Sequence, residues 1–424
     1  MSDFAAFLGI DWANDKHDLC LLDATTHTKE FFRLAHKPEV LDAFLTQLRA
    51  RYPQQRLAVG LEQARGPLLF ALLKYDFLTL YPIHPTTLAR YREAFSPSRA
   101  KDDPTDAAYL AELLHQHRDR LTAWTPDDAQ TRTLQLLVEQ RRRLVNDRTR
   151  FSNRLTAALK AYFPQALTWL PELYTALACD FLTRWPTLAA LQRTRPTTLE
   201  AFFRAHHSGH TDLLARRLSE IKAATPLVTD AAVLTACTLL VGALVPQLQA
   251  TMQAIAQHEK EIEKLCAAHP DFPLFDALPG AGKVLAPRLL AAFGTQRSRF
   301  TDAQALACFS GIAPVIERSG HSCWTRWRYF CPKFLRQTFV EFAGESIKFC
   351  GWAKAFYYLQ RGKGKGHAAA LRALAFKWIR IIWKCWQTRK PYDEALYLAA
   401  LRKSNSPLIA LLAALPSGKK LKSA

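Results

Sequence analysis

Several features are missing from these 424 residues, and each absence removes a class of protein. No run of eighteen or more apolar residues occurs, and no basic segment followed by an apolar core opens the chain. The expectation is therefore a protein without a membrane span or a secretory leader, working in the cytoplasm. The nine cysteines (Cys20, Cys179, Cys237, Cys266, Cys308, Cys323, Cys331, Cys350 and Cys385) are odd in number and scattered. They lack a close Cys-x-x-Cys or His pairing that would suggest zinc, so buried thiols in a reducing compartment are expected for most of them. Carboxylates run short late in the chain: from Asp271 to the end, 25 Lys+Arg face 8 Asp+Glu, which places +17 of the formal +20 there. That region also carries Trp324, Trp327, Tyr329, Phe330, Trp352, Trp378, Trp383 and Trp386. Regional positive charge with aromatic groups interleaved reads as a surface for nucleic acid.

What is present divides into three parts, read as domains 1–120, 121–270 and 271–424, because a chain of this length exceeds one ordinary core. In the first part apolar runs alternate with helical spacing. Phe4–Asp11 and His17–Asp23 read as a hairpin, residues 37–51 as a helix, Leu57–Leu61 as a strand, Pro67–Tyr75 as a helix and Leu78–Ile83 as a short strand. Alternation of this kind predicts an α/β layer.

Two of these strands end in acids, Asp11 and Glu62, and the stretch Lys101-Asp102-Asp103-Pro104-Thr105-Asp106-Ala107 places three more carboxylates where an alanine-rich helix begins. One reading of that stretch is helix capping, with an acid ahead of the first turn and Pro104 inside it. The other is that Asp103 and Asp106, three apart and so on one helix face, join Asp11 and Glu62 around a cation. Converging carboxylates repel unless cations lie among them, and hard oxygen donors favour magnesium or manganese. Such ions activate a nucleophile and stabilise the leaving oxygen of a phosphodiester.

Residues 127–162 lack Gly and Pro, and Leu137, Leu144, Phe151 and Ala158 recur every seventh position, with Leu134, Leu155 and Tyr162 alternating and Arg141 and Arg148 interrupting. A second long helix is marked by Val241, Leu248, Ile255 and Ile262, with a kink expected at Pro246. The pair predicts either an antiparallel hairpin or a dimerising coiled coil. Between them lie shorter helices broken by prolines, and His206, His207 and His210 beside Gly209 read as a polar turn. The last part opens with Leu278-Pro-Gly-Ala-Gly-Lys283, the pattern of a hairpin whose glycine amides and following helix hold a phosphate. No Gly-Lys-Ser/Thr stands at P-loop spacing.

Gly9-Ile-Asp11, Leu61-Glu62 and Lys101-Asp-Asp103-Pro-Thr-Asp106-Ala107 resemble the four-acid signature of bacterial insertion-sequence transposases with a RuvC-like, ribonuclease-H-type domain, the bridge-RNA-guided recombinases. Phe300-Thr-Asp-Ala-Gln-Ala-Leu-Ala-Cys-Phe-Ser-Gly-Ile-Ala-Pro314 and Glu317-Arg318-Ser319-Gly320 resemble the same family's C-terminal transposase domain. The resemblance implies that Asp11, Glu62, Asp103 and Asp106 hold Mg2+ or Mn2+, that Asp102 and Asp15 are spectators, and that Ser319 is the nucleophile, with Ser322 the competing serine. It also implies donor and target DNA and a structured guide RNA as partners, and a homo-oligomer, dimer or tetramer. A serine hydroxyl needs activation or a stabilised phosphate, for which Arg318, Arg326 and Arg328 are suited, with Lys283 a further contact to nucleic acid. The expected fold is α/β plus α: a ribonuclease-H-like (RuvC-like) mixed sheet, central helices of coiled-coil type, and a mainly helical basic C-terminal domain. A hydrolytic RuvC-like nuclease and a non-catalytic nucleic-acid-binding protein are the alternatives.

Overall fold

The computed structural model describes residues 4–62, 66–95 and 102–414, so Lys101 of the acidic stretch lies outside the described residues. The chain divides into two compact units, Met1–Pro126 and Asp127–Ala424.

The first unit is built on one five-stranded sheet. Its elements are β1 (Ala6–Trp12), β2 (Lys16–Asp23), β3 (Lys29–Ala35), α1 (Pro38–Arg51), β4 (Leu57–Leu61), α2 (Pro67–Leu72), β5 (Leu78–Pro82), α3 (Pro85–Phe95) and α4 (Asp103–His117). The strand order is β3-β2-β1-β4-β5, antiparallel through β1, β2 and β3 and parallel through β1, β4 and β5. This mixed arrangement is compatible with the ribonuclease-H-like fold expected. Both faces are covered, which is why β1 and β4 read as unbroken apolar runs. Ala6, Leu8 and Ile10 face Phe44, Leu45 and Leu48 of α1, while Phe7 joins Cys20, Ala58 and the alanines of α4 on the other side. β3, with the sequence KEFFRLA, was not anticipated. It is an edge strand whose alternate residues are exposed, and its charged ends mask the alternation.

The second unit holds α5 (Ala129–Tyr162), five short helices α6 (Gln165–Trp169), α7 (Ala176–Arg184), α8 (Leu188–Gln192), α9 (Pro196–Ala205) and α10 (Thr211–Ala223), and then α11 (Ala231–Ala267). It continues with α12 (Phe272–Asp276), α13 (Gly282–Phe293), α14 (Ala303–Phe309), a ribbon of β6 (Val315–Ser319) and β7 (Ser322–Arg326), and α15 (Lys333–Phe349), α16 (Gly351–Gly362), α17 (His367–Thr388), α18 (Glu394–Lys403) and α19 (Pro407–Ala414). α5 and α11 pack antiparallel within the chain: Gln130 donates to the Leu265 carbonyl at 2.9 Å, and further along Arg141 Nε reaches Glu259 at 3.0 Å.

The long pair threads two apolar cores. Leu134, Val138, Ile262 and Cys266 belong to the core built on α13, α15 and α17; Leu155, Leu159, Val241, Leu244 and Leu248 belong to the core of the short helices. The arginines that break the heptad lie in the waist between, Arg141 paired with Glu259 and Arg148 stacked over Tyr174 at 4.5 Å. By length and composition α11 is apolar enough to cross a membrane. Thr235, Thr238, Pro246 and Gln247 interrupt it in the sequence, and Val241, Leu244, Val245 and Leu248 are committed to the protein core.

Candidate active site

Strand register decides where the acids go. β1 and β4 run parallel with Gly9 beside Gly60 and Ile10 beside Leu61, so Asp11 and Glu62 are the next residues of adjacent strands. Side chains alternate along a strand, so Asp11 shares the face of Gly9, and Glu62 that of Gly60. Those glycines mark the crossing of α4. A Cβ on Gly9 would overlap the Ala107 carbonyl oxygen, and one on Gly60 would lie 3.1 Å from the Leu110 oxygen. Ala107 follows Asp106 directly. The first turn of α4, with Asp103 and the buried Asp106, therefore starts over the strand ends that carry Asp11 and Glu62. Asp102 occupies the N-cap position but its side chain caps no backbone N–H; it accepts the Thr105 hydroxyl at 3.2 Å. Pro104 sits in the first helical turn, as capping logic requires.

Two cations meet this cluster. Arg92 of α3 donates to Asp106 Oδ2 at 3.2 Å. Arg33 of β3 donates through Nε at 2.9 Å to Asp18, a buried acid of β2 that pairs in register with Asp11 and thus faces the same side of the sheet. Oxygen donors of four carboxylates suit a hard divalent cation by chemistry. Among the described residues, however, no three Asp, Glu, His or Cys side chains are gathered into a cage. Asp106 spends one oxygen on Arg92.

On the second unit, Ser319 is the last residue of β6 rather than part of an irregular loop. It pairs with Ser322 across a two-residue turn of Gly320 and His321, with Gly320 at φ +56° in the place where such hairpins favour glycine. Both serines therefore stand on one face at the tip, and nearly the whole ribbon is exposed. Arg318 is exposed on β6, and Arg326 Nε lies 3.0 Å from Glu317. Arg328 is partly buried and ties the chain to itself, its Nε donating to the Ala313 carbonyl at 3.3 Å. Lys283, at the start of α13, is solvated and 3.3 Å from Glu263. Burial pushes the thiols of Cys266 and Cys350 up to about 12 and those of Cys20 and Cys179 up to about 11, which makes these four poor nucleophiles at neutral pH.

Comparison with known proteins gives the family of the chain. One family profile, described as a transposase of the DEDD type found in IS110 elements, matches residues 8–164, and a second, described as the IS116/IS110/IS902 transposase family, matches 273–358. The putative mini-circle transposase for IS117 of Streptomyces coelicolor is 30% identical over 414 residues, spanning 93% of this chain and 97% of that protein. The chain belongs to the IS110/IS116 family of transposases. Other relatives are an uncharacterized protein of insertion element IS116 of Streptomyces clavuligerus, 26% identical over 92% of this chain and 96% of its own, and one of IS900 of Mycobacterium paratuberculosis, 26% identical over 81% and 85%. Membership means DNA transposition, with cleavage and transfer of strands. The first profile spans Asp11, Glu62, Asp103 and Asp106, and domains of this DEDD type generally use a divalent metal. The second spans Lys283, Arg318, Ser319, Arg326 and Arg328.

In this IS110/IS116 transposase, sequence reasoning overlooked Asp18, Arg33 and Arg92. Asp18 was within reach: a hairpin that closes Trp12 on His17 must set Asp18 opposite Asp11. Arg33 and Arg92 carried no signal, because their roles depend on an unanticipated strand and on how α3 packs.

Proposed function

We propose that this transposase cleaves and rejoins DNA through a covalent phosphoserine at Ser319, with Asp11, Glu62, Asp103 and Asp106 holding the metal. The observation that carries the reading is that Asp11 and Glu62 each follow the last paired residues of β1 and β4, Ile10 and Leu61, beside the close approach of Gly9 to Ala107 in the first turns of α4. Magnesium or manganese on those carboxylates would lower the energy of the attacking and leaving oxygens. Ser319 Oγ forms a bond to phosphorus, the bond from phosphorus to the 3′ oxygen breaks, and the hydroxyl proton ends on the departing 3′ oxygen. Attack on the phosphoserine by a different 3′ hydroxyl reverses these steps and joins a new strand without ATP. Arg318 and Arg326, exposed on the same ribbon, stabilise the charge on the phosphate, and Lys283 adds a contact to nucleic acid. A structured noncoding RNA that selects donor and target DNA, and a homo-oligomer joined through the long helices, complete the assembly, which works in the bacterial cytoplasm.

The test is incubation of purified protein with magnesium and labelled DNA, followed by denaturing electrophoresis. Wild type should give a denaturation-resistant protein–DNA adduct; Ser319→Ala should shift DNA in a native gel yet give no adduct. An undiminished adduct from Ser319→Ala removes that serine, and Ser322→Ala run beside it decides between the two. Asp11→Asn and Asp106→Asn should each cut cleavage by at least the roughly 100-fold that losing an outer partner costs a metal site. Cleavage without adduct would identify a hydrolytic nuclease instead.

A further inference from the structure

The ribbon that carries Ser319 also carries the single exposed tryptophan of the ten in the chain, Trp324, 49% accessible. Register places it. Ser319 pairs with Ser322 and Glu317 with Trp324, so Glu317, Ser319, Ser322, Trp324 and Arg326 share one face of the ribbon. Ser319 and Trp324 are diagonal neighbours across the strands, about 7–8 Å apart by the geometry of such pairs. Trp327, only three residues on, has Arg336 at 4.8 Å and Arg372 at 3.7 Å from its ring centroid, whereas Trp324 meets no aromatic ring or cation among the described residues. No residue of β6 or β7 belongs to an apolar core. A two-stranded ribbon is marginal by itself, and an indole held in water at its centre costs free energy until something flat covers it.

The charge around it selects the kind of cover. Between Val315 and Arg336 five Lys/Arg stand against one carboxylate, Glu317, and that one is already paired with Arg326. A polyanion with flat faces suits this surface; an acidic protein would satisfy the arginines but leave the indole's face without a specific partner.

We propose that Trp324 is a positioning residue that stacks on a nucleobase of the strand presented to Ser319, and so fixes which phosphate lies at the serine. The inference rests on the Ser319 reading above. Stacking accepts any base, so Trp324 sets register along the strand without reading sequence. With stacked bases about 3.4 Å apart, the base concerned lies within about two nucleotides of the phosphate attacked.

The experiment uses DNA with 2-aminopurine at successive positions around the cleavage point, bound by Ser319→Ala protein with and without Trp324→Ala. Fluorescence should be quenched at one position within about two nucleotides of the cut, and the quenching should vanish with Trp324→Ala. In the Ser319-containing protein, Trp324→Ala should lower adduct yield roughly tenfold and spread it over neighbouring phosphates, and Trp324→Phe should restore a single position. Because quenching is read without chemistry, it judges Trp324 even if the adduct experiment removes Ser319. Quenching unchanged by Trp324→Ala, or quenching far from the cut, overturns the proposal. A change of oligomeric mass on light scattering with quenching intact would show a protein contact instead, and also overturns it.

Discussion

At the scale of single residues, the acid site depends on what is not there. Gly9 has no side chain because the Ala107 carbonyl occupies the place where one would go, and the Ala111 amide is 2.8 Å from the same point. Both obstacles are backbone, so α4 itself would have to move, carrying Asp103 and Asp106 away from Asp11. Gly9→Ala should destabilise the first unit by about 3 kcal/mol, at the upper end for overpacking, and lower its melting temperature by at least about 5 °C. Gly60→Ala should cost less, since its nearest neighbours are 3.1 Å away and one of them is the flexible Leu114 side chain. Thermal melting by circular dichroism ranks the two; if Gly60→Ala proves the worse, α4 does not cross the sheet at Gly9. Arg92 poses the complementary question, because a carboxylate as buried as Asp106 needs a cation beside it.

At the scale of elements, much of the first unit was legible, because strands buried on both faces announce themselves as apolar runs ending in acids. β3 was not legible: its charges at Lys29, Glu30 and Arg33 lie on an edge that solvent reaches. Nor was the ribbon at Ser319, since Val315-Ile-Glu-Arg-Ser and Ser322-Cys-Trp-Thr-Arg show no face reserved for a core. α5 and α11 were readable from heptad spacing, but the meaning of Arg141 and Arg148 emerged only with Glu259 and Tyr174 beside them. The start of α5 holds a relay that no spacing predicts. His269 Nδ1 accepts the Asp271 amide at 3.1 Å, which leaves the proton on Nε2 to reach Thr131 Oγ1 at 3.0 Å; Thr131 in turn donates to the capping Asp128 at 2.7 Å. Burial lowers the His269 pKa below its usual 6.5, so the unfolded chain takes up the proton first as pH falls. Its contribution to stability is present above about 6.5 and is lost as pH drops below that value. Melting temperature of the wild type should therefore decline from pH 7 to 5.5, and His269→Asn, which can keep the acceptor but cannot titrate, should flatten that slope. An unchanged slope would assign the effect to other groups, such as His115. Against burial, hydrogen bonds from Thr131 and Thr295 hold Asp128 at about 2, so its own contribution fails only in far stronger acid.

For the whole molecule, charge is partitioned as the chemistry is: the acids lie in the nearly neutral part of the chain, and +17 of +20 lies beyond residue 270. If that excess neutralises six to ten phosphates, DNA affinity should fall by about 10³ or more between 50 and 200 mM salt. Fluorescence anisotropy of a labelled duplex measures it, and an affinity indifferent to salt would exclude the basic region as the DNA surface. One further consequence follows from β4. Since both its faces are apolar, hydrophobic pattern alone would not hold Leu57–Leu61 in register. Gly60 does, because a slip by one residue would set Leu61 or Val59 where a Cβ meets the Leu110 carbonyl at 3.1 Å. The same slip would turn Glu62 to the far side of the sheet, so a single lost codon in that strand would cost a copy of such an element its packing and its acid together.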